Sequence, residues 1–174
     1  GGHWYALSIR ARVIYVSTDR VPDGVLTYED LADPRWAGRV CSRSSHHLYN
    51  TSLFAAYLAK HGPEETEAYL RSLKGNLARP AAGGDRDGAR DIFAGICDVA
   101  IGNSYYVGLM RSGAGGQLQR DWGQAIRVIL PTFAHRLGTH VNVSGAAVGA
   151  HAPDLANAIR LMEFLVSDEA QRLY

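Results

Sequence analysis

Cys97-Asp98-Val99-Ala100-Ile101-Gly102-Asn103-Ser104-Tyr105-Tyr106 is the stretch on which the fold turns. Val99–Ile101 is an apolar, strand-forming run too short for a core helix. Gly102 and Asn103 are residues with which strands end, and Tyr105-Tyr106-Val107-Gly108-Leu109-Met110-Arg111 can wind as a helix. Two phenols at such a strand-to-helix junction stand where open α/β sheets put their ligands. Neighbours on a helix point about 100° apart, so the rings need the turn to converge.

The same alternation runs along the rest of the chain. Ala6–Val16 reads as a strand carrying Arg10 and Arg12 on one face, and Arg20–Val25 as a turn around Pro22-Asp23-Gly24. Thr27 and Asp30 form a capping-box pattern for a short helix that Pro34 stops. Gly38–Cys41 starts a second strand, Ser42–Asn50 is a polar loop, and a helix runs from Thr51 to His61. Pro63 opens another helix, with Glu64, Glu65 and Glu67 near its positive end. Asp85–Ala94 is a weaker helix, and the glycine-rich Ser112–Gly116 is a loop with no Lys-Ser or Lys-Thr pair to make it a phosphate cradle. Ile126–Leu130 is a strand, Thr139–Val148 is extended with a bend at Gly145, Asp154–Val166 is an amphipathic helix, and Asp168–Tyr174 a last helical turn. Strands alternating with helices predict an α/β fold with a mostly parallel sheet flanked by helices.

The bulk composition excludes more than it selects. With 174 residues, 47% apolar and 20% charged, the chain has the makings of one sizeable domain or two small ones. A net charge of +1 gives no case for nucleic acid, and no apolar run approaches a membrane span. Gly1-Gly2-His3-Trp4 is a poor start for a mature protein, which points to a piece of something longer. Cys41 and Cys97 each begin a strand and each precede a tyrosine, Tyr49 and Tyr105, by eight residues. They are either two buried thiols or, if the strands are neighbours, one bridge made in an oxidising compartment.

Four polar clusters could carry chemistry. Tyr105 and Tyr106 titrate near pH 10 when free, but a trivalent cation favours phenolate, and phenolate oxygen suits hard ions. Ser42–Ser52 lies before a helix, where free backbone N–H groups bind anions; its His46-His47 pair matches no zinc spacing. Arg10 and Arg12 could grip a carboxylate, carbonate or phosphate in bidentate fashion. His140 and Ser144 lie in a segment without a nucleophile-elbow pattern or an evident acid, which argues against hydrolase chemistry.

Taken in order, four stretches resemble the periplasmic ferric-iron-binding proteins of ABC importers, which have the two-lobed type II binding-protein fold. They are Trp4–Val13; Leu26–Ser52 with its Tyr28-Glu29-Asp30-Leu31-Ala32-Asp33-Pro34-Arg35-Trp36 run; Cys97–Tyr106; and Gly138–Gly145 with the helices to Tyr174. The resemblance implies that Tyr105, Tyr106 and, by analogy with one branch, Tyr49 ligate Fe3+ as phenolates. It implies a synergistic carbonate or phosphate on Arg10, with Arg12 second, or on Ser44, Ser45 and Asn103. It also implies a Cys41–Cys97 cystine bracing the strand tips, a periplasmic location, an ABC transporter permease as partner and no enzymatic activity. The alternative is a binding module of the same fold for another small anion or organic ligand.

On the same resemblance, residues 1–9 are an interlobe crossover strand, 10–133 the second lobe, and 134–174 a returning, incomplete part of a first lobe that is otherwise missing. The site is then partial. The 154–166 helix, deprived of its partner, is expected to pack on a second copy of the chain or on the remaining lobe.

Overall fold

A computed structural model describes residues 4–24, 26–134 and 138–173. Gly1–His3, Val25, residues 135–137 and Tyr174, which the strand, turn and returning-segment expectations include, lie outside the described residues. The chain forms two compact units: Ala11–His140, and the chain up to Arg10 together with the chain from Val141 onward. Gly138–His140 thus group with the larger unit rather than with the returning segment. There Thr139 Oγ1 donates to Pro131 O at 2.6 Å and Arg12 N to His140 O at 2.9 Å.

The larger unit is a sheet with helices on both faces. β1 (Tyr5–Ser17), β2 (Val40–Cys41), β3 (Val99–Asn103) and β4 (Ile126–Ile129) follow the order β2-β3-β1-β4. β2 and β3 are parallel, but β1 is antiparallel to both β3 and β4. The expected mostly parallel sheet therefore holds for the shared sense of β2, β3 and β4 and fails at β1. Helical crossovers link β2 to β3 and β3 to β4, and such crossovers return the chain in the same direction.

Alternation along β1 and β3 builds two cores. Ile14, Val16, Val99 and Ile101 face one way, onto Leu53, Tyr57, Tyr69 and Leu73 of α1 (Leu48–Gly75). Val13, Tyr15 and Ala100 face the other, onto Ala89 and Ile92 of α2 (Asp85–Phe93) and Val107 and Met110 of α3 (Tyr105–Ser112). Burial on both faces explains why β3 reads as an unbroken apolar run. α1 begins at Leu48, three residues before the expected Thr51, because the His47 side chain caps it by accepting from Tyr49 N at 3.3 Å. Its backbone breaks at Gly62, with φ 78°, just before Pro63. The reciprocal Thr27–Asp30 bonds form as expected, at 2.7 and 3.1 Å, but they start only a 3₁₀ turn over Glu29–Ala32. α4 (Gln117–Gln124) was not foreseen.

Gly102 is required by close approach. A Cβ there would fall inside the Tyr15 ring, which lies across it from the neighbouring strand. Gly102→Ala is therefore expected to push Tyr15 aside and cost about 1–3 kcal/mol, measured by urea unfolding; a variant as stable as the native chain would contradict this.

In the smaller unit β5 (Val141–Ala146) pairs with β1. Gly145 continues that strand rather than marking a bend, and glycine is needed there because a Cβ would come 2.9 Å from the Trp4 ring and from Tyr5 O. α5 (Leu155–Leu165) has no buried residue and exposes Leu155, Ile159, Leu161 and Phe164. α6 (Asp168–Gln171) follows. Among the described residues no helix is long and apolar enough to cross a membrane.

Candidate functional site

Apart from Tyr57 and Tyr69, which α1 places in the core, the tyrosines of the larger unit divide into two groups. Tyr15 and Tyr28 are fully buried, and burial above all pushes both phenols far up. Each donates its proton to a main-chain carbonyl: Tyr15 to Asn103 O at 2.5 Å, Tyr28 to Arg12 O at 2.6 Å. They hold β1 and β3 in place and keep their protons. Tyr49, Tyr105 and Tyr106 are different, since each lies in the first turn of a helix and reaches solvent.

These three converge. The hydroxyls of Tyr49 and Tyr105 stand 3.3 Å apart, and the rings of Tyr105 and Tyr106 lie 4.2 Å apart, tilted by 37°. Gly102, Asn103 and Ser104 carry the chain from β3 into α3, and Ser104 N anchors the turn by donating to Ala11 O at 3.0 Å. The Tyr105 phenol is raised, first by burial and then by its hydrogen bond to Tyr106; hydrogen bonds to Tyr49 and Asn103 act in the opposite sense. Positive helix ends favour negative charge at all three positions. Arg43 and Arg12 lie over the Tyr49 ring at 5.1 and 5.8 Å, and Arg86 over Tyr106 at 5.8 Å.

Behind the phenols is a buried network that sequence reasoning missed. Arg12 is 0% exposed. Its Nη1 donates to Asp85 Oδ2 at 2.6 Å and Asn103 Oδ1 at 3.0 Å, and its Nη2 to Asn50 Oδ1 at 2.5 Å. Asp85 also accepts from Asn103 N at 2.9 Å and pairs with Arg43 at 3.2 Å. Arg12 and Asn103, expected to hold an anion, are thus committed to internal bonds. Arg12 sits directly opposite Asn103 in the strand register, so the pairing itself brings them together. Asp85 and Asn50 gave no signal in the sequence beyond a helix-start acid and a loop amide.

The remaining expected residues are spread more widely. Ser44 Oγ accepts from His46 N at 3.2 Å, and Ser45 is exposed in the loop before α1. Arg10 belongs to the smaller unit. His140 bonds Ser52 at 3.1 Å, and burial lowers its pKa. Cys41 and Cys97 are joined in a disulfide, which settles the open alternative. With a sequence separation of 56, it restricts the unfolded chain by about 4 kcal/mol on chain-entropy grounds. At the foot of β3, Asp98 pairs with Arg20 and Arg39; burial would raise its carboxyl, but those two hydrogen bonds outweigh it and hold it below the usual range.

Chemically, the cluster offers hard oxygen donors and little else. Among the described residues no group of three or more His, Cys, Asp or Glu could hold a metal ion. Two oxygens each about 2.0 Å from one hard cation lie roughly 2.8–3.4 Å apart, which is the spacing of the Tyr49 and Tyr105 hydroxyls.

The family model for bacterial extracellular solute-binding proteins matches residues 1–174. Iron uptake protein A2 of Synechocystis is 45% identical over 175 residues, covering 99% of this chain and 50% of the relative. A solved Bordetella ferric binding protein is 58% identical with a TM-score of 0.92, covering 99% of this chain and 54% of that one. A Trichodesmium protein solved in complex with iron and citrate is 36% identical with a TM-score of 0.88, covering 97% of this chain and 53% of that one. The chain spans about half the length of the curated relatives it matches.

Proposed function

The chain belongs to the bacterial extracellular solute-binding protein family, and from that premise we propose that it binds ferric iron as cargo for an ABC importer, through the phenolates of Tyr49, Tyr105 and Tyr106. The observation that carries this reading is the convergence of three phenols, two of them with hydroxyls 3.3 Å apart, at the starts of two helices. The relatives named for iron support the same cargo. A small oxyanion such as carbonate or phosphate completes the coordination. With Arg12 and Asn103 spent internally, Ser44 and Ser45 are the candidates for it in the larger unit. No catalytic step is assigned. The cystine fits an oxidising compartment, which supports a periplasmic protein that delivers iron to a permease.

The test is titration of the purified chain with ferric citrate. A phenolate-to-iron visible band that saturates at one iron per chain is expected; its absence in a chain shown by circular dichroism to be folded would overturn the proposal.

On the same reading, Ala11–His140 is most of one lobe, and the smaller unit is part of another, completed by the rest of a longer protein. The apolar stripe of α5 would then pack against that missing part. In the isolated chain we expect it to pair with a second copy. Sedimentation at micromolar concentration should give a dimer that Leu161→Glu dissociates; a monomeric native chain would sink this.

A further inference from the structure

A cavity lies apart from the three phenols. It has a volume of about 760 Å³ and opens between α1 and the segment that follows it, residues 77–81. Its walls are Phe54, Leu70, Leu73 and Leu77, side chains that also pack against the core on the α1 face of the sheet. Three cations, Arg43, Lys74 and Arg79, line it, and no carboxylate does.

The charges are not equivalent. Arg43 is paired with Asp85 at 3.2 Å, and Arg79 with Asp91 at 2.5 Å. Lys74 has no ion pair among the described residues. Asp85 is shared between Arg43 and Arg12, so the cavity carries uncompensated positive charge, with Lys74 as its unpaired ammonium, set against an apolar wall. Small-molecule sites share this design: a mostly apolar lining of a few hundred Å³, with a small number of polar groups fixing orientation.

We infer that this cavity is a binding site for a small amphiphilic carboxylate, its aryl or alkyl body against Leu70, Leu73 and Leu77 and its carboxylate on Lys74. A neutral apolar molecule would leave the ammonium unanswered. The site shares the Ser42–Ser45 loop, including the anion candidate Ser45, with the phenol cluster but none of the three phenols, so it stands whether or not iron binds there.

The probes are 4-phenylbutyrate and its neutral analogue 4-phenylbutyramide, titrated into the ¹⁵N-labelled chain without iron. Phenylbutyrate should bind saturably, with shifts centred on 70–81, and about twofold to fivefold more tightly than the amide, as befits an ion pair on the exposed Lys74. Lys74→Met should abolish that preference while leaving the amide's affinity in place. Ala81→Trp, which fills the cavity, should block both probes in a chain that melts as the native one does. Shifts centred on Tyr49 and Tyr105, no saturation, or a preference that survives Lys74→Met would each overturn the assignment.

Discussion

Replacing Tyr105 by phenylalanine is expected to remove most of the phenolate-to-iron band and to weaken ferric binding by more than the roughly 10–100-fold that loss of an outer-shell partner costs. Tyr105 is the centre of the cluster: its hydroxyl meets Tyr49 at 3.3 Å and its ring lies 4.2 Å from Tyr106. The substitution keeps the ring and removes only the oxygen. Because that oxygen is in the half-exposed cluster rather than the core, folding should be unaffected, and the thermal melt serves as the control. Tyr49→Phe and Tyr106→Phe should follow in the same direction with smaller effects.

The pH dependence gives a sharper signature. Each phenol that becomes a ligand must lose its proton, so affinity falls on acidification. Burial and the Tyr106 hydrogen bond raise the Tyr105 phenol, so it is protonated throughout the neutral range and its proton must be displaced. With three phenolates the affinity should change by up to about a thousandfold per pH unit, and with two by about a hundredfold. Measured against the same citrate competitor, the ratio of native to Tyr105→Phe affinity should therefore move about tenfold per pH unit. A ratio flat with pH would mean that Tyr105 never gives up its proton to iron, whatever the absolute affinities.

What the sequence could disclose was whatever is written locally. The strand Val99–Ile101, its ending at Gly102-Asn103 and the two phenols at the start of α3 lie within ten residues, and the structure places them much as the pattern implies. The Thr27–Asp30 bonds were legible for the same reason. α4 was not, because Gln117-Leu118-Gln119-Arg120-Asp121-Trp122-Gly123-Gln124 has no apolar stripe and follows a glycine-rich loop; its Leu118 is 59% exposed. The sense of β1 was hidden too, since alternation in a strand is the same in either direction. Arg12 shows the limit most clearly. An arginine two residues from another on an alternating strand looks solvated and available to an anion. Its complete burial depends on Asp85, 73 residues away, and on Asn103, 91 residues away. Nothing local announces a partner at that distance.

That partner makes the second large expectation. Arg12 and Asp85 are both 0% exposed in their side chains, and removing one member of such a pair leaves an uncompensated buried charge, at a cost of about 3–5 kcal/mol. Asp85→Ala should show this in full, because it strands Arg12 and also leaves Asn103 N without its acceptor. Arg12→Met should cost less, since Arg43 stays 3.2 Å from the Asp85 carboxylate and can still neutralise it. The double variant Arg12→Met/Asp85→Leu replaces the pair by apolar volume, which often restores stability, and should unfold in urea closer to the native chain than Asp85→Ala does. Iron binding should not return with it. Arg12 reaches Asn50, the neighbour of Tyr49 on α1, and Asn103, two residues before Tyr105 on β3. It is thus the strut that sets one phenol-bearing helix start against the other. Without that strut the double variant should remain about 10–100-fold weaker in ferric affinity while its far-ultraviolet spectrum is native-like and its melting lies above that of Asp85→Ala. Recovery of both stability and affinity would mean that the ion pair only fills space, and that packing alone aligns Tyr49 with Tyr105.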